Sequence, residues 1–290
     1  MSFTLVLNSS NIANTSTNTS FKYNFVQGGF TADDCEICVS SVSIPYSWNN
    51  VSTYYNNKTF TLIFPTAATT VTYSIVLPDG FYTVTDINYF IQQTCISNGA
   101  YLIDSSLNNV YFTNMAYNAT FYSIQVLLFS VPTSLVTTGM TYTRPATGLY
   151  SATGTGLPTT AYTPQLVIPT SGSIGTIIGF TSGTFPAAQT VTSQSFLSTL
   201  TPIGTTVNSL VIQCSLVSNR VTVPSDILDS MPITSAAFGS NLVYNPSFEK
   251  YVKIANGTYN GFTITFRDQN LNDIYAKDPN ASITLMIRKK

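Results

Sequence analysis

The chain has 290 residues and a mass of 31.4 kDa; 44% of its residues are hydrophobic, 8% are charged, and the net charge is −1. This length and hydrophobic content exclude a small stapled scaffold and a disordered chain. The near-zero net charge and the absence of histidine exclude a strongly basic nucleic-acid binder and a Ser-His-Asp or Cys-His hydrolase.

The charged residues are unevenly distributed. The 115-residue stretch 105–219 contains a single charged side chain, Arg144. A soluble domain normally carries about a quarter charged residues, and net charge keeps protein molecules apart in solution. The composition therefore favours a building block whose surface is covered by other copies or by other proteins.

The N-terminal segment Met1–Ser20 is polar and rich in Asn, Ser and Thr. It lacks the basic and apolar regions of a signal peptide, so we expect synthesis in the cytosol. Our hypothesis for this segment is an arm that becomes ordered only against a neighbouring subunit. The longest apolar run, Ile124–Val131, has the length of a strand, so no membrane span is expected. Eight Asn-X-Ser/Thr sequons are interpreted as a by-product of the composition.

Short β-branched and aromatic runs, separated by Pro, Gly and Asn, recur every 10 to 15 residues and predict an all-β sandwich or barrel. Alternation of apolar and hydroxyl side chains is clearest in 71–76 and 262–266. The predicted strands are Phe3–Leu7, Phe21–Val26, Cys35–Ile44, Phe60–Phe64, Thr70–Leu77, Ala100–Ile103, Asn109–Thr113, Phe121–Val131, Gln165–Ile168, Ser209–Ser215, Leu242–Tyr244, Phe262–Arg267 and Ile283–Arg288.

One short helix is predicted over about 84–97. Thr83 is a suitable N-cap, Asp86 lies in the first turn, and Asn98-Gly99 is a suitable end. A second, shorter helical turn is predicted after Pro224.

From 132 to 206 the chain is dominated by Thr, Ser, Gly and Pro. Apolar runs within it are too frequent for a solvated linker, which favours an insertion or ordered loops. The predicted organisation is an N-terminal arm (1–20), a main β domain (21–131 and 207–290), and an inserted or looped outer region (132–206).

No catalytic, cofactor-binding or metal-binding residue is predicted. The Cys35/Cys38 pair lacks two further zinc ligands, and the four cysteines, the others being Cys95 and Cys214, are interpreted as buried thiols. We therefore expect no enzymatic activity and no cofactor.

The clustered carboxylates are better explained by structural roles than by catalysis or cation binding. Asp226/Asp229 and Asp268/Asp273 are each close enough in sequence for a glycosidase pair, but both pairs accompany turn or helix-start signals. The acidic cluster 33–36 is interpreted as a solvated strand entrance rather than a cation site. Trp48 is a candidate for stacking on a sugar, but packing is favoured.

Several segments together resemble the vertex (penton) and related minor capsid proteins of virophages, polinton-like viruses and relatives among the large eukaryotic DNA viruses. They are SVSIPYSWNNVS (41–52), LPDGFYTVTDINYFIQ (77–92), NGAYLI (98–103), IIGFTSGTFP (177–186), NSLVIQCSLVSN (208–219) and FRDQNLNDIYAKDPNASITLMIR (266–288). They occur in order along most of the chain.

The resemblance implies a single jelly roll that forms homopentamers at the icosahedral vertices of a dsDNA virus, without enzymatic activity. It implies a place in the virion capsid after synthesis in the host cytoplasm. The implied partners are other copies of the chain, the major capsid protein and other minor capsid proteins, with a fibre or host receptor as a further candidate. No specific nucleic-acid binding is expected, although Arg288-Lys289-Lys290 could face the genome or an acidic neighbour. The alternatives are a minor capsid protein between or beneath the major capsomers, and a glycan-binding attachment module.

Overall fold

The structure is a computed structural model that describes residues 2–26, 28–234 and 236–290. It contains two α-helices, α1 (Val84–Asn98) and α2 (Gly175–Ile178), and a 3-10 helix, Ser9–Asn11. The strands are β1 Ser2–Leu7, β2 Ser20–Asn24, β3 Phe30–Ala32, β4 Cys35–Pro45, β5 Asn57–Pro65, β6 Thr70–Val76, β7 Leu102–Asp104, β8 Asn109–Val110, β9 Thr113–Asn118, β10 Ser123–Leu128, β11 Val136–Thr137, β12 Met140–Thr143, β13 Gln165–Ile168, β14 Gly172–Ser173, β15 Gly183–Phe185, β16 Gln194–Leu197, β17 Ser209–Cys214, β18 Ile227–Pro232, β19 Asn241–Tyr244, β20 Val252–Lys253, β21 Gly257–Tyr259, β22 Gly261–Arg267 and β23 Ser282–Lys289.

The chain folds into two compact units. The first contains Met1–Asn49 and Thr206–Lys290, and the second contains Asn50–Thr205. We call them the jelly-roll unit and the inserted unit, because the second interrupts the sequence of the first between β4 and β17. Each unit has its own β-sheets.

The jelly-roll unit is built on two antiparallel sheets. One has the order β1-β23-β4-β19, with β20 also on β4, and the other has the order β2-β22-β17-β18. Along the chain the eight main strands fall in the first, second, first, second, second, first, second and first sheet. This is the connectivity of an eight-stranded jelly roll, which confirms the predicted fold class.

Alternation of side chains produces the core of this unit. In β22, Phe262, Ile264 and Phe266 are buried while the residues between them are partly exposed, as the sequence pattern predicted. Phe266 packs edge-to-face on Phe21 of β2 with ring centroids 5.9 Å apart. Both rings are completely buried.

The inserted unit has three sheets and the longer helix. β6, β5, β13 and β15 form one sheet, with β14 pairing in parallel along β5. β16-β10-β9 and β11-β12-β7-β8 form the other two. Their core includes Phe60, Leu62 and Phe64 of β5, Ile87, Ile91 and Cys95 of α1, and Ile124, Val126 and Leu128 of β10.

Helix α1 confirms the predicted helix and both of its ends. The Thr83 hydroxyl accepts a hydrogen bond from the backbone N–H of Asp86, while the Asp86 carboxylate accepts one from the Thr83 N–H, so the two form a capping box. Gly99 ends the helix with φ +61°, a conformation that favours glycine. The helical turn predicted after Pro224 is wrong: Ile227–Pro232 is strand β18, paired with β17.

The boundaries of the two units differ from the predicted domains. Residues 50–131, which were expected in the main domain with 207–290, lie in the same unit as the predicted outer region 132–206. The reason is pairing across that boundary, since β5 pairs with both β6 and β13. The predicted arm 1–20 also differs, because Ser2–Leu7 pairs with β23 of the same chain rather than requiring a neighbour.

Candidate assembly surfaces

The inserted unit is almost free of charge. The chain has 11 Lys or Arg and 12 Asp or Glu, but only five of these residues lie between 50 and 205: Lys58, Asp79, Asp86, Asp104 and Arg144. The other charged residues belong to the jelly-roll unit, which has fewer residues. The charge-poor character recognised in the sequence is therefore a property of one folded unit.

Two of these five residues, Lys58 and Asp79, form an ion pair with each other. Lys58 Nζ lies 3.3 Å from Asp79 Oδ1, and the same carboxylate oxygen accepts hydrogen bonds from the backbone N–H and the hydroxyl of Thr53 at 3.0 Å. Burial raises the pKa of Asp79, but the hydrogen bonds from Thr53 and Lys58 outweigh it and leave the pKa below its usual value. This pair stabilises a turn and contributes little net charge to the surface.

The other three charged residues also bond to their own surroundings. Asp86 caps α1. The backbone N–H of Asn108 lowers the pKa of Asp104, and its side-chain amide and the N–H of Ser106 add to the effect. Arg144 Nη1 donates to the carbonyl oxygen of Tyr150 at 2.8 Å. The inserted unit therefore presents few charges to solvent, two basic and three acidic side chains, and only Lys58 and Asp79 among them form an ion pair within the unit.

An exposed aromatic cluster lies at the turn between β9 and β10. We call Tyr117, Phe121 and Tyr122 the hairpin tip; their exposed fractions are 51%, 65% and 65%. The rings of Tyr117 and Tyr122 meet edge-to-face with centroids 6.1 Å apart, and Tyr122 has φ +48°, unfavourable for a bulky side chain. Exposed apolar groups of this kind are typical of contact sites. Sequence reasoning missed the tip because Phe121 was counted as part of a strand.

The basic C-terminal residues are paired within the chain. Arg288 Nη2 lies 3.0 Å and Lys290 Nζ 3.8 Å from the Glu36 carboxylate, and Lys289 Nζ lies 3.1 Å from Asp33. Antiparallel pairing of β23 with β4 brings these side chains together, because Arg288 is opposite Glu36. The Arg288 guanidinium carbon also lies 3.4 Å from the centroid of the Tyr251 ring. The acidic cluster 33–36 and the basic end thus neutralise each other.

The carboxylates considered as catalytic pairs have structural partners. Asp268 Oδ1 accepts from the backbone N–H groups of Asn270 and Asn272, as in an Asx turn, and Asp273 pairs with Arg267. The side chain of Asp226 accepts from Gln213 at 3.1 Å.

Asp229, the fourth of these carboxylates, is nearly buried. Its oxygens accept from Tyr244 Oη at 3.0 Å and from Lys250 Nζ at 3.1 Å. The bond to Asp229 raises the pKa of Lys250, so the ion pair persists at neutral pH. These contacts link β18 of one sheet to β19 of the other.

The cysteines and Trp48 lie in the interior. All four cysteines are free and buried, as predicted, and burial raises the pKa of Cys95 and of Cys214 to about 12, which makes them unreactive thiols. Trp48 is 2% exposed, with its ring 4.7 Å from that of Tyr46. The packing interpretation is confirmed for Trp48, which cannot stack on an external ligand.

The part of the chain that the structure describes has neither a membrane-spanning helix nor a metal-ligand cluster. No helix there is long and apolar enough to span a bilayer. No three Cys, Asp or Glu side chains in the same ranges are grouped as metal ligands would be.

Histidine is the side chain that normally titrates between about pH 5 and 8, and the chain contains no histidine. We therefore expect the stability of the folded protein to change little over this range. The pKa of Asp104 is lower in the folded state than in the unfolded state. Its contribution to the free energy of unfolding is therefore complete above the unfolded-state pKa, and it is lost only as pH falls through the folded-state pKa. We expect the thermal unfolding midpoint, measured by scanning fluorimetry, to change by less than ~3 °C across that range. A larger fall toward pH 5 would contradict this.

Comparisons with known proteins identify solved structures only. The crystal structure of the mavirus penton protein is similar, at 10% identity and a TM-score of 0.44, over 99% of this chain and 98% of that chain. The structure of the Sputnik virophage by cryo-electron microscopy is similar at 10% identity and a TM-score of 0.40, over 100% of this chain and 98% of that chain. No family model and no curated protein matches the chain.

Proposed function

We propose that the chain is a structural protein of a viral capsid and forms homopentameric rings at icosahedral vertices. In this proposal the other partners are the major capsid protein and the other minor capsid proteins, and the site of action is the virion. A minor capsid protein between or beneath the major capsomers is the alternative within the same class. The proposal includes no catalytic step and no cofactor.

The observation that carries the proposal is the low charge density of the inserted unit. Its five charged side chains bond locally, while the hairpin tip leaves three aromatic rings exposed. An isolated soluble domain with such a surface would tend to associate, because it has apolar contacts to gain and little charge to repel a neighbour. A subunit whose surface is covered in an assembly has no such liability.

A ring places specific demands on subunit surfaces. In a cyclic ring one flank of each subunit contacts the opposite flank of the next, so two different surfaces must be buried. Burying an unpaired charge costs several kcal/mol of desolvation, whereas neutral hydroxyl and aromatic groups avoid that penalty. The low charge of the inserted unit supports contacts of this kind, and the jelly roll is an architecture used by viral capsid domains. We further propose that 50–205, rather than 132–206 alone, forms the outer region.

The direct test is the oligomeric state of the full-length recombinant chain. Native mass spectrometry is expected to show a species at five times the 31.4 kDa chain mass, and negative-stain images are expected to show five-fold rings. Monomers or trimers at tens of micromolar would overturn the ring. Monomers or trimers that bind glycans would favour an attachment module instead.

A substitution at the hairpin tip tests whether this charge-poor surface is a contact between copies. We expect Phe121→Lys to weaken self-association at least about tenfold, equivalent to ~1.4 kcal/mol, because an unpaired charge would be buried at the contact. The measurement is the dissociation constant from sedimentation velocity over a concentration series.

The matched control is Val191→Lys, which adds the same charge to the same unit at a side chain 60% exposed, against 65% for Phe121. It is expected to leave the dissociation constant within about twofold. Equal weakening by both variants, or no weakening by either, would contradict a contact at the tip.

A further inference from the structure

Strand β6 lies at the edge of its sheet, where its strand partner is β5 on one side only. With seven residues it is the longest edge strand in the ranges that the structure describes. Proteins usually protect a long edge with a charged side chain, a proline or a β-bulge, because an open edge pairs with other strands. The sequence of β6 is TVTYSIV and its register with β5 is unbroken, so it has none of these three protections.

The hydrogen bonds at both ends of the β5–β6 hairpin show which backbone groups point away from β5. The N–H of Leu77 donates to the Lys58 carbonyl at 2.9 Å, and the N–H of Thr66 donates to the Thr69 carbonyl at 2.9 Å. Opposite residues of an antiparallel pair are alternately hydrogen-bonded and not hydrogen-bonded to each other. Counting from either end by the β5–β6 register, the residues of β6 whose N–H and C=O groups point away from β5 are Thr70, Thr72, Ser74 and Val76.

These outward backbone groups are open to solvent. All four residues are exposed, Val76 at 54%. Within the described ranges their N–H and C=O groups make no hydrogen bond, so they are left for water or for another strand. An edge of this kind is the surface to which a further β-strand is added in β-augmentation.

We propose that β6 pairs antiparallel with β6 of a second copy, across a two-fold axis at Tyr73. In this register Thr70 lies opposite Val76 of the second copy. Likewise, Thr72 lies opposite Ser74 of the second copy. The outward residues are symmetric about the axis, so each of them falls in a hydrogen-bonded pair and all the outward N–H and C=O groups find partners. The sheet of one copy then continues into the sheet of the other.

The chemistry of the edge favours a second copy as the occupant. When a strand pairs with its own copy, a charge near the axis meets the same charge, and like charges opposite each other are destabilising. The segment 59–78 contains no charged residue, so two copies of this edge approach without repulsion. The opposite pairs are Thr with Val and Thr with Ser, whose β-branched and hydroxyl side chains suit cross-strand contacts. An edge that bound a charged segment would need complementary charge, which β6 lacks.

The β6 contact differs from the contact that forms a ring. A two-fold pairing uses the same surface on both copies, whereas a ring uses two different surfaces. The β6 contact therefore joins two copies whether each is free or belongs to a ring, and it does not depend on the proposed capsid role. A contact made by one strand edge is smaller than a standard stable interface, so we expect a dissociation constant on the order of 100 µM.

Disulfide trapping at two exposed positions of the full-length chain tests both the pairing and its register. The variants Thr72→Cys and Ser74→Cys are mixed in equal amounts at about 100 µM, near the expected dissociation constant, and treated with oxidised glutathione. Position 72 of one copy lies opposite position 74 of the other, with about 5.5 Å between Cα atoms, a distance that a disulfide spans. Two copies of the same variant place their new cysteines on the diagonal, about 7–8 Å apart and beyond that reach. The four natural cysteines are free and buried, so they do not compete.

We expect the mixture to form at least about fivefold more cross-linked dimer than either variant alone, with positions 72 and 74 joined in peptides identified by mass spectrometry. The natural chain is the control and is expected to form no cross-linked dimer. The absence of a link between positions 72 and 74 in the mixture would leave the edge to a different protein or to solvent and overturn the proposal. Equal linking in the mixture and in both single variants would indicate random collision and would also overturn it.

The variant Ser74→Pro, with Ser74→Ala as its matched control, tests the pairing without new cysteines. The N–H of Ser74 points away from β5, so proline at this position keeps the β5–β6 hydrogen bonds and removes one donor from the proposed contact. The unfolding midpoints of the two variants are expected to agree within about 3 °C. Sedimentation velocity from about 20 to 400 µM is expected to show the natural chain and Ser74→Ala doubling in mass, and Ser74→Pro not doubling.

The same measurement separates this contact from the ring. The mass of the species that doubles, a monomer or a ring, shows whether the chain forms rings, and the doubling itself reports the β6 contact. Doubling by both variants, or by neither variant and not by the natural chain, would contradict the β6 contact whatever the mass of the starting species.

Discussion

Gly99→Ala is expected to destabilise the inserted unit by at least about 4 kcal/mol. Gly99 has φ +61°, which alone costs an L-residue roughly 1–2 kcal/mol. A methyl group there would also lie 2.1 Å from the backbone oxygen of Thr147 and 2.8 Å from the Cα of Gly148. Backbone atoms cannot move aside as a flexible side chain can. The C-terminal end of α1 and the backbone of Thr147 and Gly148 would therefore have to move apart.

That separation would also break specific hydrogen bonds. The N–H of Leu149 donates to the Asn98 carbonyl at 2.7 Å, and the N–H of Tyr150 donates to the Gly99 carbonyl at 3.0 Å. Hydrogen exchange of peptides from 84–98, followed by mass spectrometry along a urea series, measures the loss directly. The expected result is exchange of the helix at much lower urea than in the natural chain.

The matched control is Gly139→Ala. Gly139 has φ +90° but nothing lies within 4 Å of where its Cβ would be. Only the backbone strain applies there, so a loss of about 1–2 kcal/mol is expected. If the two variants lost the same stability, the close approach at Gly99 would not be the cause.

Phe266→Ala is expected to destabilise the jelly-roll unit by about 3–5 kcal/mol. The ring is completely buried and packs edge-to-face on Phe21, so its removal leaves a cavity between strands that cannot close freely. The single tryptophan of the chain, Trp48, is buried in this unit and reports its unfolding by fluorescence. The measurement is the urea midpoint of that signal.

Thr265→Ala provides the control for this variant. Thr265 is the preceding residue of β22 and points to the opposite face, where it is partly exposed. Its hydroxyl lies 3.5 Å from the Ser20 hydroxyl, which is long for a hydrogen bond, so a loss of less than about 1 kcal/mol is expected. A midpoint for Phe266→Ala as high as that of Thr265→Ala would contradict the core role of the ring.

Local patterns predicted the individual elements well. All thirteen predicted strands overlap strands of the structure, and α1 begins and ends where Thr83 and Gly99 indicated. Alternation and capping depend on residues within a few positions of one another, so they can be read from the chain directly. The prediction after Pro224 failed because Ile227 and Leu228 suit a helix or a strand, and pairing with β17 decided between them.

The candidate assembly surfaces depend on contacts between residues that are far apart in the sequence. The scarcity of charge between 105 and 219 was evident in the sequence, but the local bonding of Lys58, Asp79 and Arg144 was not. Nor could the sequence show that the basic end pairs with the acidic cluster 33–36, because these segments are about 250 residues apart and meet only through the β4–β23 register.

By itself the sequence determined an all-β chain with one capped helix, no histidine chemistry and a surface with little charge. Only the tertiary structure decided that the jelly roll is interrupted at residue 50 and that Ser2–Leu7 is one of its strands. The physical reason is that side-chain periodicity is the same in any sheet, whereas the choice of partner strand comes from burial and hydrogen bonding between distant segments.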